Sequence, residues 1–408
     1  MSTLIHYELK KILKRKSSWV TLLTLLVCVT AITLVFVSDQ YYYSTDGEAL
    51  SGFEAIAAEK EATHAVAGQL TPDKLEDILE RYQTTYENPQ NYSSEGWLLV
   101  DIYAKSILPY RDILNLMRNV YTPETIDLSA LTNVGTEQAR NLYMSRQANI
   151  EETLHSGNYT SEEKETILKL NDRVSKHITF DYLETWKTLL NKEFVYLFLM
   201  LPLVVCIIIS PIFANEYQMG ADALILSSKN GRGKTVCAKI CAGLALTSMV
   251  YVFSVLFCTG MVFSIFGIYG WDCDFQMLSF YSFYGLKVWQ VFLLGIIINY
   301  IMILAVMAFA MLLSAMCKTP FAAVIISTLC TAAPFFFPAN QSSSLAKHII
   351  NLFPVKAMNT SSVFASYDVY SIGKLVVTLP SMIIIVAIVL IAFTLPIAHK
   401  KFCKHQVV

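Results

Sequence analysis

Charge is what this sequence has least of. Only 15% of its 408 residues are Asp, Glu, Lys or Arg, against 54% apolar residues. A soluble globular chain carries about 25% charged residues, which excludes an ordinary soluble enzyme. Disorder is excluded as well, because 12% of the residues are aromatic and the apolar ones cluster. Cysteine is missing where oxidation would use it. None of the nine cysteines falls within 38–191, and most sit in or beside apolar runs, so no secreted disulfide framework is present. Catalytic signatures are missing too: there is no H-E-x-x-H and no G-x-S-x-G. The stretch 228–235 resembles a phosphate-binding loop only until Ser228, which stands where the first Gly is needed. Asp272-Cys273-Asp274 has no third ligand nearby and reads as a solvated turn. Cys237 and Cys241 share a helix face, but a tetrahedral metal would need two more ligands. No basic patch with interleaved aromatics appears, so no nucleic-acid partner is expected.

What is present is a set of long apolar runs. Six approach the roughly 20 residues that cross a bilayer: 19–37, 194–214, 236–266, 288–316, 321–337 and 375–398. The fifth is the shortest, with Pro334 and Pro338 placed to end or kink it. Every alternate connection is basic. Lys10, Lys11, Lys14, Arg15 and Lys16 precede the first run. Lys229, Arg232 and Lys234 follow the second, Lys318 the fourth, and Lys400, Lys401 and Lys404 the sixth. Cytoplasmic loops carry such an excess of Lys and Arg, so both termini are expected inside. No ionisable residue is expected deep in any run, which argues against a proton relay within the chain.

The expected architecture is therefore an all-α integral membrane protein: six transmembrane helices plus a helical extracytoplasmic domain. Residues 1–16 form a cytoplasmic amphipathic helix, with Leu4, Ile5, Leu9, Ile12 and Leu13 at helical spacing and suited to an anionic inner leaflet. Residues 17–37 form the first span, read as a retained anchor. Residues 38–192 form the extracytoplasmic domain, and 193–398 hold spans two to six with a cytoplasmic loop at 215–235. Residues 399–408 are a cytoplasmic tail. From 37 to 191 lie 25 of the 32 acidic residues but only 13 of the 31 basic ones, which favours cationic ligands outside. Three helices are expected there: one from Thr71-Pro72-Asp73, one over 97–120 kinked at Pro109, and one from Ser161. The aromatic-rich stretch 268–287 suits an interfacial belt. Residues 338–374 either dip back into the membrane or cap the bundle.

The loop between the second and third runs contains Asn215-Glu216-Tyr217-Gln218-Met219-Gly220, then Leu224-Ile225-Leu226, then Arg232 and Lys239. It resembles the signature loop of ABC-2 type permeases, the membrane subunits of one class of ATP-binding-cassette transporters. Glu216, Gly220, Leu226, Arg232 and Lys239 match the family's pattern, and the basic N-terminal helix and six spans match its architecture. The large insertion after span one resembles that of some bacterial exporter permeases. The resemblance implies coupling of this loop to a separate ATPase subunit that binds the ATP. The chain itself would hold no cofactor, no metal and no ATPase site. It implies a second permease, identical or homologous, with substrate passing between the two in the cell membrane. The competing reading is a membrane-anchored sensor or immunity protein that binds an extracellular ligand.

Overall fold

The computed structural model describes residues 1–228, 231–336, 344–373 and 375–405. Lys229, Pro338 and Lys374, used above to mark flanks and loop limits, and the fifth run's last residue at 337 lie outside the described residues.

Among the described residues, five helices are long and apolar enough to cross a membrane: Lys16–Ser38, Glu184–Gln218, Lys234–Phe266, Val288–Met316 and Leu379–Cys403. The expected fifth span is shorter. It is a 13-residue α-helix, Pro320–Ala332, prolonged by a 3-10 turn through Pro334. Together these reach about 27 Å, just under the roughly 30 Å of a hydrocarbon core. The expected sixth span also starts later. Its first residues, Leu375–Thr378, pair as a β-hairpin with Val369–Ile372.

Glu184–Gln218 and Val288–Met316 form the interior of the bundle, with 72% and 56% of their most apolar windows buried. The first and last long helices are only 22% buried and turn Leu23, Val27, Leu34, Ile388 and Phe393 outward. Lipid suits such faces. The hydroxyls of Thr21, Thr24, Thr30 and Thr33 in the first long helix donate to carbonyls four residues back, so these four are satisfied within the helix. Between helices, Ser210 pairs with Ser327 at 2.8 Å, Ser248 with Tyr300 at 2.8 Å, and Asn299 donates to Thr360 at 3.1 Å.

The acidic segment builds its own core around Leu70, Leu75, Leu79, Ile113, Leu114 and Met117. Its helices start where local chemistry starts them. The Thr71 hydroxyl accepts from Lys74 N before Pro72–Glu87, and Thr160 and Glu163 form a capping box before Ser161–Asn171. Pro109 lies in a 3-10 turn that divides Val100–Ser106 from Arg111–Tyr121. The stretch 268–287 is not a lipid belt throughout. Phe275 and Phe283 are fully buried, while Tyr269 and Trp271 are exposed. Buried Arg146 explains the difference. It donates to the carbonyls of Phe280 and Ser282, both at 2.7 Å, and pulls the loop into a joint between the acidic domain and the bundle. Asp274 is likewise no solvated turn. It is buried, accepts from Thr179 N at 2.8 Å and pairs with Lys287 at 2.9 Å.

Candidate functional site: the basic end of the bundle

The second long helix breaks after Ser210, where Pro211 opens a new segment, Pro211–Gln218. A restarted helix leaves its first amide protons without carbonyl partners. Here the Ser314 hydroxyl accepts from both Phe213 N (2.9 Å) and Ala214 N (3.1 Å). The tip of the helix is thereby re-aimed. Gly220 then turns the chain with φ +64°, a left-handed conformation that suits glycine, into a short helix, Ala221–Ser227.

Glu216 is carried by the re-aimed tip and Lys239 by the first turns of Lys234–Phe266. Their charges meet at 2.7 Å, Lys239 also reaches Glu8 at 2.8 Å, and Lys11 pairs with Glu216. Lys239 is 1% exposed, Glu216 2% and Glu8 6%. The N-terminal helix Ser2–Leu13 is thus packed on protein, with Ile12 buried, rather than only laid on lipid. Beside the cluster, burial lowers the pKa of Arg15, against the raising effect of Glu216 and Glu8. Glu8, Glu216 and Lys239 are buried in one joint, with Lys11 at its partly exposed edge and Arg15 close by. Such a group holds helices in register but breaks at high cost when one partner is removed.

Of the five residues that matched the family pattern, Glu216 and Lys239 are brought together. Arg232 lies apart from them and donates through Nε to the Leu226 carbonyl at 3.1 Å, closing the loop. Leu226 is buried, while Gly220 is exposed. The apolar groups that the loop offers to solvent are others: Met219, 69% exposed, and Leu224, 76% exposed. The C-terminal segment also grips the loop. Phe402 stacks on Tyr217, His405 lies 3.3 Å from Asp222, and Cys403 Sγ contacts the Arg232 carbonyl at 2.7 Å. Sequence reading missed Glu8, Ser314, Phe402 and His405. The one available signal was Glu8, an acid on the apolar face of a basic amphipathic helix.

A second charged group was missed. The second long helix runs back to Glu184 through a π-helical stretch, Lys187–Glu193, and carries Glu193 inside the bundle at 1% exposure. Its Oε2 lies 4.0 Å from Cys258 Sγ and its Oε1 has no hydrogen-bond partner. Glu193 stands one residue before the run expected at 194–214, on a helix that extends beyond that run. Among the described residues no group of three or more His, Cys, Asp or Glu is placed to hold a metal ion.

These features define a polytopic helical membrane protein with a protein-packed loop at its basic end and, between its first two long helices, an acidic helical segment packed against the bundle. The family model described as ABC-2 family transporter protein matches residues 2–395, and the chain belongs to that family. It is accordingly a membrane component of an ABC transporter, of the permease type and not the ATPase. No characterised protein and no solved structure matches the chain at a significant level.

Proposed function

We propose that this chain is the permease subunit of an ABC exporter in a bacterial cell membrane, with both termini in the cytoplasm. Two such permeases, identical or homologous, would enclose the substrate path, and separate ATPase subunits would drive them. The observation that carries this reading is exposed Leu224 on the short helix Ala221–Ser227, with exposed Met219 just before its Gly220 turn, next to a buried ion cluster. An ATPase groove can grip such a knob, and the cluster makes the knob stiff. On this reading Glu216, Gly220, Leu226, Arg232 and Lys239 shape and anchor the coupling loop, while Met219 and Leu224 touch the partner.

Two experiments test it. Purification of the full chain from its own membranes should recover an ABC ATPase in near-stoichiometric amount. Leu224→Asp should lose that ATPase while the permease stays inserted, because it places a charge in an apolar contact. Recovery without any ATPase, or an unchanged yield with Leu224→Asp, refutes the coupling assignment. For orientation, a cysteine introduced at Lys74 or Lys164 should react with an impermeant reagent in intact cells, and one at Lys401 should not. The reverse pattern refutes the topology.

A further inference from the structure

Two cavities of opposite character are lined by neighbouring residues of one segment, 347–356, with no lining residue in common. The first, about 330 Å³, lies among Val288–Met316, Pro320–Phe336 and Leu379–Cys403, with Met302, Phe309 and Leu352 in its wall. Ile349, Phe353 and Leu390 at this cavity are 59%, 38% and 39% exposed. The hydroxyl of Thr331 in its wall is already bonded to the Ser327 carbonyl at 2.8 Å. The groove suits an alkyl chain.

The second cavity, about 300 Å³, is lined by Lys347, Asn351, Lys356, Asn359, Ser362 and Asp368, among others. Its single acid is spent. Asp368 accepts from Lys347 at 2.8 Å, Asn351 at 2.6 Å and Ser366 at 2.7 Å. Lys356 has no acidic partner among the described residues. Asn359 uses Oδ1 to cap Ser362 N and keeps its amide free to donate. The pocket therefore offers one uncompensated ammonium and an amide, which is the chemistry that binds a phosphate oxygen. Neighbouring residues of one short segment serve both cavities: Ile349, Leu352 and Phe353 line the apolar one, Ile350, Asn351 and Lys356 the polar one.

We propose that this permease binds an anionic phospholipid here, its phosphodiester at Lys356 and Asn359 and an acyl chain in the groove. The bilayer supplies both parts in one molecule. A symmetric second copy would present the same cationic pocket rather than the anion that Lys356 lacks.

The test uses the full chain in nanodiscs of mixed phosphatidylcholine and phosphatidylglycerol, with retained lipid read by native mass spectrometry. Phosphatidylglycerol should be retained in preference to phosphatidylcholine. Lys356→Glu should cut its retention about tenfold, the loss of one charge-assisted contact, and Lys356→Arg should preserve it. Ala305→Phe, which fills the groove, should reduce retention of both lipids. If Lys356→Glu fails to insert, Lys356→Gln carries the comparison. Three results overturn the proposal. Retention unchanged by loss of the Lys356 charge removes the headgroup site. Displacement of the lipid by inorganic phosphate alone makes it a site for free anions. Loss of permease–permease cross-linking with Ala305→Phe, at unchanged lipid retention, gives the groove to a second copy.

Discussion

Replacing Lys239 with Met should release the N-terminal helix. The substitution keeps most of the volume and removes the only described cationic partner of Glu8, while Glu216 keeps Lys11. Leaving one buried charge unpaired costs about 3–5 kcal/mol. Against this stands the apolar burial that docks the helix. Ile12 is the one apolar residue of Ser2–Leu13 that is fully buried, with Leu9 and Leu13 partly so. A fully buried side chain of this kind contributes about 1.5–3 kcal/mol. The two magnitudes are close, so a large fraction of molecules should free the helix instead of keeping the bare carboxylate buried. Hydrogen–deuterium exchange of residues 2–13 measures this directly. Lys239→Met should raise their exchange well above wild type, and adding Glu8→Gln should restore much of the protection, because the uncompensated charge is gone. Rescue by Gln separates electrostatic release from lost packing. Equal exchange in wild type and Lys239→Met, or no recovery in the double variant, would show that the ion cluster does not hold this helix.

Other consequences follow from single groups. In the acidic domain, burial pushes the Glu59 carboxyl up to about 7, with Glu184 and Asp112 acting in the same direction and Arg111 and Lys187 opposing them. The native state then keeps a proton that the unfolded chain loses above its ordinary value of 4.5. Stability from this group is complete below that value and is lost as pH rises toward 7, by up to about 3 kcal/mol. The melting temperature of the full chain should fall across that window relative to Glu59→Gln, and parallel curves would refute it. Ser314→Val should leave the amides of Phe213 and Ala214 unsatisfied, at about 1–3 kcal/mol each. Faster cleavage of the 215–235 loop by protease measures that loosening. Glu193→Gln keeps shape without a charge to bury and should melt no lower than wild type, whereas Glu193→Lys should prevent normal assembly of the bundle, read by size-exclusion profile.

Features set by neighbouring residues were legible in the sequence. Thr71 and Pro109 act within one turn of themselves, so the helix start and the break follow from spacing alone, as does the start at Ser161, though not its Thr160 cap. The long apolar runs follow from the absence of water in a bilayer, which forces the backbone to satisfy itself. Features that join distant elements were not legible. Glu8 and Lys239 are 231 residues apart, and Arg146 meets Phe280 across 134. Nothing local distinguishes Ser314 from any other hydroxyl in an apolar helix until Pro211 frees two amides beside it. Glu193 was lost for another reason. An apolar count begins at Phe194, but the helix does not, because the packed π-helical stretch continues it into the acidic domain.

The placement of charge explains why the loop residues that match the family pattern are mostly not the exposed ones. A loop that only touched a partner would need a complementary surface and could be soft behind it. A loop that transmits displacement must move as one body with the helices it drives. Glu216 ends the second long helix, Lys239 begins the third, and Glu8 and Lys11 lie on the N-terminal helix, which turns at Arg15 into the first. One buried group of charges thus ties the roots of three long helices to the base of a single short helix. His405 and Phe402 add the end of the last one. Under the proposed function, a push on Leu224 cannot be absorbed by the loop bending alone, since bending would break the contact between Glu216 and Lys239, two charges that are almost fully buried. On that reading the stiffness would be electrostatic and the contact with the ATPase apolar. Substitutions in the cluster should therefore uncouple ATP hydrolysis from transport while the ATPase stays bound, whereas substitution of Leu224 should lose the ATPase itself.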